Sequence, residues 1–192
     1  MSDLTRERAW EILCAHTKGD GLRKHGLAVE AVMRHLAERA GLDPLTVEEW
    51  AVTGILHDFD YEADPAGHPQ NGRPILEAAG VPAHIVRAIE SHGDHTGVTR
   101  ESALEKTLYA VDELSGFVTA VALVRPSKAV RDVDAAAVRR KMKDKAFARA
   151  VSREMMVAGA DQLGVPFDDL VTEVVRALTA AAEPLGLGGI PA

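Results

Sequence analysis

Apolar residues recur at helical spacing along almost the whole chain, and this periodicity restricts the fold more than any other sequence feature. No stretch shows the sustained two-residue alternation typical of a half-buried strand. Turns rich in glycine and proline separate the periodic segments. Helices are expected near 5–17, 21–40, 45–57, 70–79, 82–92, 101–121, 134–142, 145–163 and 167–183. The sequence therefore predicts an all-α fold.

The length of 192 residues and the hydrophobic content of 46% suit one globular domain with a substantial core. We expect a single domain over 1–192, with its functional core at about 20–130. The C-terminal helices at 131–185 either pack on that core or form a small annex. Their apolar stripes are also compatible with a homodimer, although we favour packing on the core.

The uncharged runs are too short for a membrane span, and the charged N-terminus predicts an amphipathic helix rather than a secretory signal. With one cysteine the chain has no internal disulfide framework, so we expect a cytoplasmic protein. The net charge of −7 argues against nucleic acid as a partner. A basic stretch at 139–153 is the local exception, and it favours a solvated helix face over a phosphate-binding one.

Polar side chains interrupt the apolar stripes of three predicted helices. His25 lies on the stripe of the second helix, the pair His57 and Asp58 ends the third, and Asp112 lies within the stripe of a later one. A buried, isolated carboxylate costs on the order of several kcal/mol or more, so each aspartate needs a partner. No lysine or arginine lies on the matching stripes.

A metal cation explains this pattern more economically than a side-chain cation does. Imidazole nitrogens and carboxylate oxygens suit Mn, Fe, Zn, Ni, Co or Mg, with water completing the coordination. The residues predict a divalent metal site on converging helices.

The ordered motifs resemble those of the HD-domain superfamily of metal-dependent phosphohydrolases. They read LRKHG at 22–26, GILHDFDYE at 54–62 and YAVDELSG at 109–116, and the resemblance covers about 20–130. It implies a helical bundle with additional C-terminal helices here. It also implies that one metal is held by His25, His57, Asp58 and Asp112.

Two further histidines bear on the number of metals. In dinuclear branches of the superfamily, two histidines between the His-Asp pair and the last aspartate complete a second metal position. His68 and His92 occupy the corresponding places in order. The resemblance therefore implies one or two metals per chain, with His92 the stronger candidate. The alternative for both is an ordinary residue at a helix end.

The resemblance implies hydrolysis of a phosphate ester or anhydride in a nucleotide or another small phosphorylated metabolite. The metal held through Asp58 would activate the attacking water. Glu62 or Asp60 could act as general acid or orient that water, and an ordinary acidic loop is an equal alternative. Arg125 and Lys128 are candidates for binding the phosphoryl group, with Arg73 a weaker one.

Two other functions stay open at this point. Some HD-fold proteins with the six-ligand site are di-iron oxygenases, and a third possibility is a non-catalytic, metal-stabilised module that senses a nucleotide. Low aromatic content, 4%, offers no obvious surface for stacking a base.

Overall fold

The computed structural model describes residues 4–190. Within this range the regular secondary structure is helical, and there are no strands. An isolated antiparallel bridge joins Ala129 to Gly188. Within this range each helix is too short or too polar to cross a lipid bilayer. The prediction of an all-α fold is confirmed. The helices are α1 (Arg6–His16), α2 (Asp20–Arg39), α3 (Pro44–Leu56), α4 (Arg73–Ala78), α5 (Ala83–Ser91), α6 (Ala103–Leu123), α7 (Ala135–Met142), α8 (Arg153–Leu163), α9 (Phe167–Ala180) and α10 (Ala182–Leu185).

The chain divides into two compact units, residues 1–109 and residues 110–192. The first unit holds α1 to α5 and the beginning of α6. The second holds the rest of α6 and α7 to α10. The division therefore lies inside one helix rather than in a loop.

In the first unit, close packing of α2 on α3 fixes the end of α3. The Cα of Gly54 faces the backbone of Val29 and Glu30, where even a methyl group would lie 2.7 Å from Glu30 N. Gly26 approaches the backbone of α3 in the same way, since a methyl group there would lie 3.1 Å from Ile55 O. Glycine at these crossings lets the two backbones come together.

An apolar cluster from α1, α3, α4 and α5 supports the same region. Phe59, just beyond α3, is fully buried in it together with Ile55 and Ile89. Asp43 caps the first backbone amides of α3, and Pro44 occupies its first turn. The residues that follow Leu56 are therefore held on a well-anchored helix.

In the second unit, the predicted helix 145–163 is wrong at its start, because α8 begins only at Arg153. The Asp144 carboxylate accepts hydrogen bonds from the backbone amides of Ala146 and Phe147, which favours a turn. Ser152 then caps α8 through the Met155 amide. Residues 145–152 therefore form turns, although their apolar spacing is that of a helix.

The Arg153 guanidinium stabilises the turns before α8. It donates hydrogen bonds to the carbonyl oxygens of Phe147, Ala148 and Val151, which no helix satisfies. Ala148 has a positive φ of 41°, a conformation that interrupts a helix. Local polar contacts thus override helical propensity here.

Candidate metal centre

His57 is the C-terminal capping residue of α3, and its side chain is completely buried. Its Nδ1 atom lies 2.8 Å from the carbonyl oxygen of Gly54. A carbonyl oxygen only accepts, so Nδ1 carries the hydrogen and donates it. In the neutral ring Nε2 then keeps its lone pair, as a metal ligand requires.

His25 on α2 and Asp58 complete a first group around that lone pair. The Nε2 atoms of His25 and His57 lie 3.2 Å apart. The Asp58 Oδ2 atom is 3.7 Å from His25 Nε2 and 3.5 Å from His57 Nε2. Potential ligand atoms of these three residues all lie within 4.8 Å of one another.

His68 and His92 form a second group on the other oxygen of the same carboxylate. Asp58 Oδ1 lies 3.1 Å from His68 Nε2 and 3.6 Å from His92 Nε2. The two Nε2 atoms are 3.2 Å apart. His92 follows the last residue of α5, and His68 precedes Pro69 in the segment that leads to α4. These three residues also offer ligand atoms within 4.8 Å of one another.

The Asp58 carboxylate thus lies between two pairs of imidazoles, one pair at each oxygen. Its ionic contacts within the described residues are all with histidine, and its side chain is 17% exposed. Burial disfavours the charged carboxylate, but His57, His68 and His92 outweigh burial and hold the pKa of Asp58 well below its ordinary value. Asp58 is therefore an anion that no lysine or arginine among residues 4–190 neutralises.

Contacts at Nδ1 fix the orientation of both imidazole rings in the second group. His92 Nδ1 donates to the Ile89 carbonyl oxygen at 2.5 Å, and His68 Nδ1 lies 2.6 Å from Asp60 Oδ1. Burial alone would lower the pKa of His68, but the carboxylates of Asp58 and Asp60 raise it to about 9. In the metal-free protein at neutral pH, His68 is consequently an imidazolium between two carboxylates.

These contacts match the way metal-binding histidines are oriented in proteins. Histidines that bind metals usually donate their second ring hydrogen to a carbonyl or carboxylate, which orients the ring. His57, His68 and His92 each have such a partner, and their Nε2 atoms face Asp58. The His and Asp groups could therefore hold a metal ion.

The remaining predicted ligand, Asp112, lies on α6 in the second unit, whereas the histidines belong to the first. Its assignment as a ligand stays a prediction.

The two acidic candidates for catalysis have different surroundings. Asp60 is 4% exposed, and its Oδ1 atom contacts His68 at Nδ1, the ring nitrogen that points away from Asp58. The Oδ2 atom of Asp60 faces Gly72 and lacks a hydrogen-bond partner within the described residues. Glu62 is exposed and accepts hydrogen bonds from the backbone amides of Lys18 and Gly19, where α2 begins. Asp60 thus supports a candidate ligand, while Glu62 holds the backbone between α1 and α2.

The predicted phosphate-binding cations also differ from one another. Arg73 is already paired with Glu77 at 2.9 Å and with Glu90 at 2.8 Å. Arg125 and Lys128 lie after α6 in the second unit, and Arg125 lines a pocket there. Their role in binding a phosphoryl group stays a prediction.

Two residues that contact the centre were not predicted from the sequence. His95 is exposed, as its position in the sequence predicts, and its Nε2 atom also lies 2.8 Å from the His68 carbonyl oxygen. Tyr61 is 44% exposed, and its ring centroid lies 5.3 Å from that of His68. The only sequence signal for either was proximity to a predicted ligand, because neither lies on an apolar stripe.

Comparison with known proteins adds no relative: no family model, curated protein or solved structure matches the chain.

Proposed function

We propose that this chain is a metal-dependent phosphohydrolase that acts on a phosphate ester or anhydride of a nucleotide or small phosphorylated metabolite. The metal-binding part of the proposal rests on the surroundings of Asp58. The reaction class rests on the resemblance of the ordered motifs to the HD-domain superfamily.

The observation that carries the proposal is the placement of an ionised carboxylate between two pairs of histidine Nε2 atoms. The distances from the Asp58 oxygens to these atoms run from 3.1 Å to 3.7 Å. An anion and several lone pairs directed at one small volume favour a cation there. A metal held in this way supplies Lewis acidity and lowers the pKa of a coordinated water.

The protein's own groups would keep the site in a binding-competent form. The carbonyl oxygens of Gly54 and Ile89 hold His57 and His92 in the tautomer with a free Nε2 lone pair. Asp60 holds the ring of His68. Such fixed rings need no reorganisation when a ligand arrives, which favours affinity.

The donor set contains nitrogen and oxygen and no sulfur, since Cys14 is not part of either group. Such a set suits Mn, Fe, Co, Ni or Zn. Because Asp58 belongs to both groups, we propose two metal positions that share this carboxylate, with Asp112 as a further ligand of the His25 and His57 position.

The test begins with metal analysis of protein purified without added metal. Phosphatase and nucleotide substrates are then assayed with Mn, Mg, Co, Ni and Fe. We expect between one and two metals per chain and metal-dependent release of phosphate. A content below about 0.1 equivalents that added metal does not raise would refute the metal site.

The variant Asp58→Asn shows whether measured activity comes from this site or from a contaminating enzyme, because it keeps the shape of the side chain and removes its charge. We expect loss of metal and of activity, whereas the matched variant Asp161→Asn, at an exposed position on α8, keeps both. Phosphate release that survives Asp58→Asn would show that another site or protein causes it.

A di-iron oxygenase is the second candidate, because the paired histidines around one carboxylate are equally compatible with two irons. Two irons prefer nitrogen and oxygen ligands of this kind. Iron-containing, coloured protein with turnover that requires O2, and without phosphate release, would replace the first proposal by this one.

A further inference from the structure

A pocket of about 540 Å3 lies in the second unit between the end of α6 and the end of α7. Its apolar wall includes the buried side chains of Val121 and Ala137 and the 56% exposed side chain of Val124. The volume is within the range of pockets that bind small molecules, about 300–1,000 Å3. An apolar wall with polar groups at one edge is typical of such pockets.

The polar edge of this pocket carries positive charge. Arg125, Arg140 and Lys141 line it. Lys141 lies over the Phe147 ring at 4.7 Å. Within residues 4–190, no carboxylate pairs with the guanidinium groups of Arg125 and Arg140.

Neighbouring arginines contrast with these two. Arg139 is paired with Asp168 at 2.6 Å, and Arg153 donates to backbone carbonyl groups. The acidic residue in the lining, Asp144, uses its carboxylate to accept hydrogen bonds from the amides of Ala146 and Phe147. Asp144 therefore offsets one of the three positive charges, and the lining keeps an excess of cations.

We infer that this pocket binds a small organic anion, with a phosphate, phosphonate or carboxylate group at Arg125 and Arg140 and an apolar group against Val121 and Val124. Guanidinium groups bind such oxyanions through paired, charge-assisted hydrogen bonds. None of the residues that line the pocket belongs to the two His and Asp groups of the candidate metal centre, so Arg125 is assigned here to this pocket rather than to the proposed hydrolase reaction.

A purely structural role for the cations leads to a different expectation. Arg140 and Lys141 lie in the last turn of α7, where positive charge stabilises the helix dipole. If that were their whole role, replacing them would lower thermal stability and no anion would bind. Arg125 lies just beyond the end of α6, so its corresponding structural role is to stabilise the α6 dipole, and the same expectation applies to its replacement.

Calorimetric titration of the full chain with phenylphosphonate tests the inference, because this probe combines an oxyanion with an apolar ring and resists hydrolysis. Inorganic phosphate serves as the probe without the ring. We expect phenylphosphonate to bind at least about tenfold more tightly than inorganic phosphate, from burial of the ring. Added salt should weaken both, since the cations are partly exposed.

The variants are Arg125→Gln and Arg140→Gln, with Arg149→Gln as the matched control at an exposed position outside the pocket. Removing one charged donor should weaken phenylphosphonate binding about tenfold or more, and the control should leave it unchanged. Arg140→Lys, which keeps the charge and loses the paired hydrogen bonds, should fall between them.

Two further measurements make each outcome decisive. In metal-free protein, Asp58→Asn should bind phenylphosphonate as the wild type does, because Asp58 does not line the pocket. Equal affinity in all arginine variants, or loss of binding in Asp58→Asn alone, would place the probe elsewhere and overturn the inference. Absence of binding up to about 10 mM, with lower stability of Arg140→Gln, would leave only the dipole role and also overturn it.

Discussion

Replacing Gly54 by alanine gives the sharpest test of how the metal centre is supported. The added methyl group would lie 2.7 Å from Glu30 N, 2.9 Å from Glu30 Cα and 2.9 Å from Val29 C. All three are backbone atoms of α2, so no side chain can rotate away. To restore an ordinary contact, α2 and α3 must separate by about 0.7 Å at this crossing.

The expected cost follows from two opposing effects. Overpacking of this kind costs about 1–3 kcal/mol, and a backbone clash belongs at the upper end or beyond. Alanine regains at most about 1 kcal/mol of helix propensity over glycine. We therefore expect Gly54→Ala to lower the free energy of unfolding by about 2 kcal/mol. For a chain of this size the melting temperature should fall by about 4–8 °C.

Gly21→Ala is the matched control, because a methyl group there meets nothing within 4 Å. We expect it to be neutral or to stabilise by up to about 1 kcal/mol. Urea unfolding of the metal-free proteins measures both values, with similar m-values as the check that compactness is unchanged. A difference below about 0.5 kcal/mol between the two variants would refute the close packing of α2 on α3. Gly54→Ala should also lose metal, since the Gly54 carbonyl oxygen orients His57.

Three further predictions concern His68 and its carboxylate partner. Because its pKa is about 9, metal binding at pH 7 must displace a proton from His68; titrations in buffers of different ionisation enthalpy should show this release, and apparent metal affinity should rise with pH up to about 9. Enthalpies independent of the buffer would contradict it. In the metal-free protein, the folded-state pKa lies above the ordinary 6.5, so the stability that His68 contributes is complete below about pH 6.5 and is lost as pH rises through about 9. Urea unfolding between pH 6 and pH 10 measures this loss, which His68→Ala should abolish. Asp60→Asn should weaken metal binding at the His68 and His92 position about 10–100-fold while the His25 and His57 position keeps its metal. An unchanged metal stoichiometry and affinity would show that Asp60 does not support His68.

The sequence predicted the fold class and most helix positions because helical periodicity is strong and its interruptions are sharp. The helix predicted near 45–57, for example, agrees with α3 to within one residue at each end without any tertiary information. The start of α8 was not predictable in this way. It depends on the hydrogen bonds that Arg153 and Asp144 make to nearby backbone groups. These hydrogen bonds stabilise turns at a place where the apolar pattern predicts a helix equally well.

Prediction of the site was limited by what periodicity can specify. Periodicity placed His25, His57 and Asp58 on buried faces. His68, however, lies in a segment without regular periodicity, where the sequence does not indicate which way a side chain points. The contact between Asp60 and His68 joins residues of one irregular segment, so no helical stripe could reveal it. Family resemblance, rather than pattern, pointed to His68.

The position of one carboxylate between two pairs of imidazoles also has a consequence for metal loading. In the proposed two-metal site Asp58 would serve both ions, and their binding would then be thermodynamically linked, so that occupancy of one position changes the affinity of the other by a reciprocal factor. A metal titration of this protein should therefore require a cooperative or anticooperative isotherm rather than two independent steps. Preparations with mixed metals would then depend on the order of addition wherever the first ion dissociates slowly.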